Sequence, residues 1–458
     1  MQTTKTMKQT CSILLAASSL LWSATAVAAA RPRYGGTLRL AVKETPATFD
    51  PATLATAGPA GLSRLVFETL TTLDERGRPQ PGLAVSWQVE PGNQRWRVLL
   101  RNGVSFHDGA ILDANAVGAS LRASNPNWKI VASADTVIIE TDTAEPGLPA
   151  ELALDRNSIF RRAGGKIGGT GPFSIAQWDS GKRLTLKAND QYWAGRPFLD
   201  SIEIDFGKDY REQATLLDLA KADVIEIAPE NIHRAQAEGR TVINSEPSKL
   251  MALAFAGGPT SEDEAHARAA LTMSIDTTAI NNVVLQGGGV PAGALLPNWE
   301  TGYAFTFPVG GSTEIAHQER AQSRRLTSWT LGYDASDSIS RVIAERILLN
   351  ARDAGITLQL ASSGATDLRL LRISLPSAEP HVALTELSKA LQLPGPKFSS
   401  SSVAALYSAE ASLLQTHRII PLVHVRSAVA LRANVHDWIT FPNGEWRIEN
   451  VWLAPEKP

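Results

Sequence analysis

Phe106-His107-Asp108-Gly109 is the segment whose residue types come nearest to a reaction centre. An imidazole titrates near neutral pH, and a neighbouring carboxylate can orient its ring. A compact turn closing a preceding strand accounts for the same four residues, so the structural reading is carried beside the chemical one. The chain holds 8 histidines, but none stands in a His-Glu-x-x-His pattern or a close three-ligand cluster. His417 and His424 flank a proline-containing segment and are the pair to watch for a metal or metal chelate. No Gly-x-Ser-x-Gly nucleophile turn occurs. The glycine cluster Gly164-Gly165 and Gly168-Gly169-Thr170-Gly171-Pro172 lacks the spacing and the lysine of a phosphate-binding loop. No cofactor and no metal site are therefore expected, and no pair of groups demands acid–base chemistry.

The elements that must position these residues are legible from periodicity. Leu38, Leu40 and Val42 alternate within 34–42, as do Trp96, Val98 and Leu100, and each set predicts a half-buried strand. Further strands are predicted over 136–140, 173–178, 183–188, 201–206, 223–227, 419–423, 428–431 and 446–452. Helices are predicted over 60–70, from the Asp113 cap through Leu121, over 210–219, and over 338–354 before Gly355. Ser261-Glu262-Asp263-Glu264 has the spacing of a capping box, with Ser261 and Glu264 satisfying each other's backbone N–H groups. Helix followed by short strand is the rhythm of α/β architecture. The glycine cluster suits a crossover between domains, where positive φ or close backbone approach is needed.

Lys5 and Lys8, an apolar run from Ile13 to Trp22 and small residues from Ser23 to Ala30 have the layout of a secretory leader. Its removal leaves about 430 residues and no cysteine, because Cys11 is the only one. Disulfides and cysteine-ligated metals then have no place, and stability must come from apolar cores in two or three domains. The net charge of −2 and the absence of Lys/Arg runs argue against nucleic acid as a partner.

Several ordered motifs, taken together, resemble the extracellular solute-binding proteins of family 5, the peptide, nickel and opine class. They are Tyr34-Gly35-Gly36-Thr37-Leu38, Thr48-Phe49-Asp50-Pro51, Phe67-Glu68-Thr69-Leu70, and Pro81-Gly82-Leu83-Ala84-Val85-Ser86-Trp87. Arg101-Asn102-Gly103-Val104-Ser105-Phe106-His107-Asp108-Gly109, Gly169-Thr170-Gly171-Pro172-Phe173 and the run from Asn189 to Ile202 follow in order. Ala267 to Asp276 and Ile419-Ile420-Pro421-Leu422 complete the pattern.

The resemblance implies an α/β fold of two lobes joined by crossing strands, the type II periplasmic-binding-protein fold, with an additional small inserted domain. The implied division is a leader over 1–30 and a first lobe from 31–45, 165–255 and 425–458. An inserted domain over 46–164 and a second lobe over 256–424 complete it. It implies that Phe106, His107, Asp108, Gly109, Gly169, Gly171 and Pro172 are structural. It further implies periplasmic capture of a small solute, a short peptide by default, and delivery to an inner-membrane ABC permease by hinge closure, without catalysis, as a monomer. Near the implied crossing and lobe faces, Tyr34, Trp178, Trp329, Tyr333 and Tyr407 can stack on a solute, and the Arg372 fork can hold a carboxylate. Peptide-binding members place an acidic group near an Asp-Pro segment; the nearest stretch here ends in Glu379-Pro380. Nickel or metal-chelate binding, a secreted hydrolase and a peptide-holding chaperone are the alternatives.

Overall fold

The computed structural model describes residues 31–53, 61–324 and 328–455. The expected leader, residues 1–30, lies outside the described residues.

Thr37–Ala41 forms the strand that its alternation predicts, with Leu38 and Leu40 buried. It runs parallel to Ser201–Asp205 on one side and to Val224–Ile227 on the other. Phe173–Asp179 and Arg183–Ala188 extend this sheet antiparallel beyond Ser201–Asp205. One apolar cluster, including Phe67, Phe173, Leu184, Ile202, Ile204 and Trp446, packs the first lobe.

Two long antiparallel strands then carry the sheet into the second lobe. Thr241–Phe255 has 15 residues and Ile419–Leu431 has 13, lengths of about 50 and 43 Å at the usual strand rise. Their outer halves, Thr241–Asn244 and Ala428–Leu431, pair beside Val224–Ile227. Their inner halves pair through Lys249–Ala254 and Ile419–Val425, flanked by Leu368–Ser374 and by the short strand Gly289–Pro291. Between the halves the register shifts at Asn244/Pro247 and Pro247/Lys249, and it shifts again within the inner half at Met251/Ala252. Pro247 has no N–H to give a ladder, so the seam between lobes falls where pairing is locally broken.

In the second lobe Ser328–Gly332 runs parallel to Thr357–Ala361 and to Leu368–Ser374. Met251, Leu253 and Phe255 feed one core, while Leu250 and Ala252 feed another on the opposite sheet face. A strand buried on both faces reads as a continuous apolar run, as Leu250–Phe255 does. A separate four-stranded antiparallel sheet, Ala84–Val89, Arg95–Leu100, Thr136–Glu140 and Lys129–Ser133, has its own core with Trp96, Val98, Val117, Leu121 and Ile139. Asp113 caps its helix Ala114–Ser124 by accepting from the Ala116 N–H at 2.7 Å.

Four local expectations change. The described part of 60–70 is a single 3-10 turn, Ser63–Leu65, because Leu62, Leu65, Val66, Phe67 and Leu70 are all buried and leave no polar helix face. The predicted strands 419–423 and 428–431 are one continuous strand. The strand over 446–452 is reduced to Trp446–Arg447 and Trp452–Leu453. Ser261 does accept from the Glu264 N–H, but the Glu264 carboxylate takes the Thr260 N–H and Arg268 instead of closing a capping box. A complete box lies at Asp209 and Glu212, ahead of the helix Tyr210–Asp218.

Candidate functional site: a charged cleft between the lobes

The family-like motifs, scattered in sequence, converge in space on the structure rather than on a reaction centre. His107 Nε2 lies 3.0 Å from the Gly171 carbonyl, and the Gly169 N–H points at Nδ1 from 3.3 Å. A carbonyl only accepts, so Nε2 carries the proton and Nδ1 accepts. The His107 N–H also donates to the Gly169 carbonyl at 3.0 Å. Burial holds the imidazole below its ordinary pKa. Asp108 turns away, receiving the Ala110 N–H and pairing with Arg161 at 3.0 Å. Phe106 is core, and Gly109 takes φ +83° to close the turn.

Gly169 and Gly171 lie so close to Val66 that a Cβ at Gly169 would fall 2.1 Å from the Val66 carbonyl oxygen. Pro172 accepts from the Asn189 N–H. Nearby, the Glu68 carboxylate receives Thr170 Oγ1 at 2.7 Å, Tyr192 OH at 2.9 Å and Trp193 Nε1 at 3.0 Å. Arg101 stacks on Trp193 at 4.2 Å. Burial raises the Glu68 pKa against these stabilising hydrogen bonds. Four separated motifs thus knot together where the chain re-enters the first sheet.

The chemistry-bearing cavity lies elsewhere, on the seam. It encloses 460 Å³ and is walled by both lobes and by the crossing strands. Lys43, Tyr210 and Glu226 follow or end first-lobe strands; Asp334, Asp337 and Arg372 come from the second lobe; Lys249 and Arg426 come from the crossing strands. Lys43 and Asp334 sit just beyond the carboxyl ends of parallel strands, where open α/β sheets bind ligands.

Asp337 is the centre of this wall. It caps the helix Ser338–Asp353, accepting from the Ile339 N–H at 3.3 Å and Ser340 Oγ at 3.1 Å. The same carboxylate lies 3.3 Å from Arg372 Nη2 and 3.9 Å from Lys43 Nζ, so it bridges the lobes. Arg372 Nε and Nη2 are shielded from solvent and make no hydrogen bond. Glu226 accepts the Lys43 N–H at 2.6 Å, and burial raises its pKa. Burial likewise raises Glu230 and the Tyr210 phenol, while hydrogen bonds from Ser336 hold Asp334 low.

Of the residues singled out from sequence, Arg372 lines this cavity, and Tyr333 precedes Asp334 at its edge. Trp329 is core, packed edge-on against Phe255 at 5.2 Å. Trp178 packs between Phe49 and Phe206 in the first lobe. Tyr407 stacks on Phe307 at 4.5 Å beside Tyr303. Tyr34 lies exposed against Phe198 and beneath Arg196. Glu379 caps the helix Pro380–Ala390 through the Val382 N–H and pairs with His381. His424 is buried, with Nε2 3.0 Å from the Leu295 carbonyl, and His417 sits in a turn at φ +51°. Among the described residues no group of three or more His, Cys, Asp or Glu is arranged to hold a metal. No described helix is long and apolar enough to cross a membrane.

Residues 78–374 match the bacterial extracellular solute-binding proteins, family 5, middle. An uncharacterized protein of Bacillus subtilis is 34% identical over 180 residues, 36% of this chain and 31% of that one. The dipeptide-binding protein of Escherichia coli is 27% identical over 270 residues, 49% of this chain and 50% of that one. The chain therefore matches about a third to a half of the length of these curated relatives. Among solved structures, NikA from Staphylococcus aureus in complex with Ni(L-His)2 superposes with a TM-score of 0.76 at 18% identity, covering 91% of this chain and all of that one. The oligopeptide-binding protein AppA from Bacillus subtilis, in complex with a nonapeptide, gives 0.77 at 18% identity, covering 93% of this chain and all of that one. These likenesses show a shared two-lobed α/β fold, and the match over 78–374 shows that the chain belongs to the family 5 bacterial extracellular solute-binding proteins.

Proposed function

We propose that this chain captures a small polar solute in the cleft between its lobes, with a short peptide as the first candidate. It would then deliver that solute to an inner-membrane ABC permease from the periplasm. The observation that carries the reading is the 460 Å³ seam cavity, within the range of small-molecule sites, whose wall mixes Lys43, Lys249, Arg372 and Arg426 with Glu226, Asp334 and Asp337. Each wall carries both signs of charge, which suits a solute that carries both an amine and a carboxylate. Arg372 offers the planar fork for the carboxylate.

Binding, rather than catalysis, is the activity of the family. Solute contacts made with both walls favour the closed state and shift the open–closed population toward it. The register-shifted segment around Pro247 is the proposed pivot. The four-stranded sheet within 46–164 is the proposed inserted domain, with 31–45, 165–255 and 425–458 forming the first lobe and 256–424 the second.

Mass spectrometry of small molecules retained by gently purified protein, followed by calorimetry with each, tests the reading. A retained zwitterion that binds saturably, is not turned over, and binds at least tenfold more weakly to Arg372→Ala is the expected result. Turnover of the retained molecule would overturn it, as would unchanged affinity in that variant.

A further inference from the structure

The crossing strands are not the only place where the two sides of the cleft touch. The 3-10 turn Asp155–Asn157, which follows the four-stranded sheet, meets the second-lobe helix Pro380–Ala390, whose inner face packs on Leu250 and Ala252. The Arg156 guanidinium spans the contact, giving one arm to Glu151 on its own side and the other to Glu386 across it. Glu386 is 5% exposed and also receives Lys389 Nζ at 2.6 Å. Around this ion pair, Ala150, Leu154 and Leu73 pack on Val382. Beside it, Gly77, at φ +71°, approaches so closely that a Cβ there would fall 2.1 Å from the Ala378 carbonyl oxygen.

The turn that presents Arg156 is held rigidly from behind. Asp155 receives Ser63 Oγ at 2.6 Å and pairs with Arg64 at 3.3 Å, and Arg64 pairs in turn with Glu445. Asn157 donates to the Glu151 carbonyl at 2.6 Å and receives Asn125 Nδ2 at 2.7 Å. A rigid cation therefore faces a nearly buried carboxylate that is 230 residues away in sequence and belongs to the other wall. If the lobes parted about the seam, Glu386 would lose this partner and the small apolar cluster would be wetted.

We infer that this contact is a latch, in which Arg156 and Glu386 are positioning residues that hold the lobes together, so that the protein itself supplies part of the free energy of closure. The inference rests on the reading of the chain as a hinged solute binder. The closed state is then substantially populated before solute arrives, and apparent affinity rises with that population.

Spin labels on Val85→Cys and Leu349→Cys, both exposed positions, report the separation in a full chain carrying Cys11→Ser. Without solute, the parent protein gives mainly short distances. Arg156→Ala adds a longer population and lowers the closed-to-open ratio about tenfold; Glu386→Gln does the same should the first variant fold poorly. Gly77→Ala, a steric wedge rather than a charge deletion, moves the distances the same way. Arg156→Lys, which keeps a cation between Glu151 and Glu386, retains the short distances, a rescue that a merely structural role for the side chain would not require. Unchanged distances in folded Arg156→Ala and Glu386→Gln overturn the latch. Lengthened distances in protein that retains no solute leave the latch standing and remove the capture reading instead.

Discussion

His424 sits on the crossing strand Ile419–Leu431, 5% exposed, with its one protonated nitrogen donating to the Leu295 carbonyl. Charging the ring would bury a cation whose nearest partner is a neutral carbonyl, and burial accordingly pushes its pKa down from 6.5 to about 4. The folded state therefore prefers the neutral ring, whereas the unfolded chain protonates near 6.5. Stability from this residue is intact above pH 6.5, falls as the pH drops toward 4, and falls no further once both states are protonated. At about 1.4 kcal/mol per pH unit, the whole window corresponds to about 3 kcal/mol. His424→Gln keeps an N–H donor and cannot titrate. Urea unfolding measured from pH 7.5 to 3.5 should show the parent losing about 3 kcal/mol more than this variant, with the difference developing between pH 6.5 and 4. Parallel pH profiles for the two proteins would refute the argument. A stabilisation of the parent by nickel, absent in His424→Gln, would show instead that the ring is a ligand.

Gly169→Ala should lower stability by about 2–3 kcal/mol, because the methyl group meets the Val66 carbonyl and the Phe67 ring, neither of which can withdraw cheaply; thermal unfolding reads this, and a change below 0.5 kcal/mol would refute it. Glu68→Leu should cost about 3 kcal/mol by orphaning the Thr170, Tyr192 and Trp193 donors, and urea unfolding that matches the parent would count against the network. Asp209→Ala should cost about 1 kcal/mol, since it opens the complete capping box of the helix Tyr210–Asp218; thermal unfolding checks this, and a variant as stable as the parent would refute it.

Local order was largely open to reading from the chain. The alternation Leu38, Leu40, Val42 and the helical spacing of Ile343 and Ile347 report burial directly, because each element turns one face inward, whereas Val342, on the same expected face, is exposed and Ile339 only half-buried. Asp113 and Ser261 announced their helices through one side-chain oxygen each. Even His107 could be weighed as a structural residue before its partners were seen.

Tertiary pairing decided the rest. Residues 424–427 do not reveal by periodicity that they continue one strand, since a seam strand paired on shifting registers shows no simple alternation. Trp329 alternates with Leu331 on the buried face of its strand, and alternation alone does not tell whether that face meets a core or a cleft. Lys43, Glu226, Asp334 and Asp337 passed as ordinary charged residues, although strand ends in Val42-Lys43-Glu44 and Glu226-Ile227 carried a faint signal. Only folding brings them together. A charge on a surface loop and a charge in a cleft have the same one-letter code, and what separates them is the wall that the other lobe supplies.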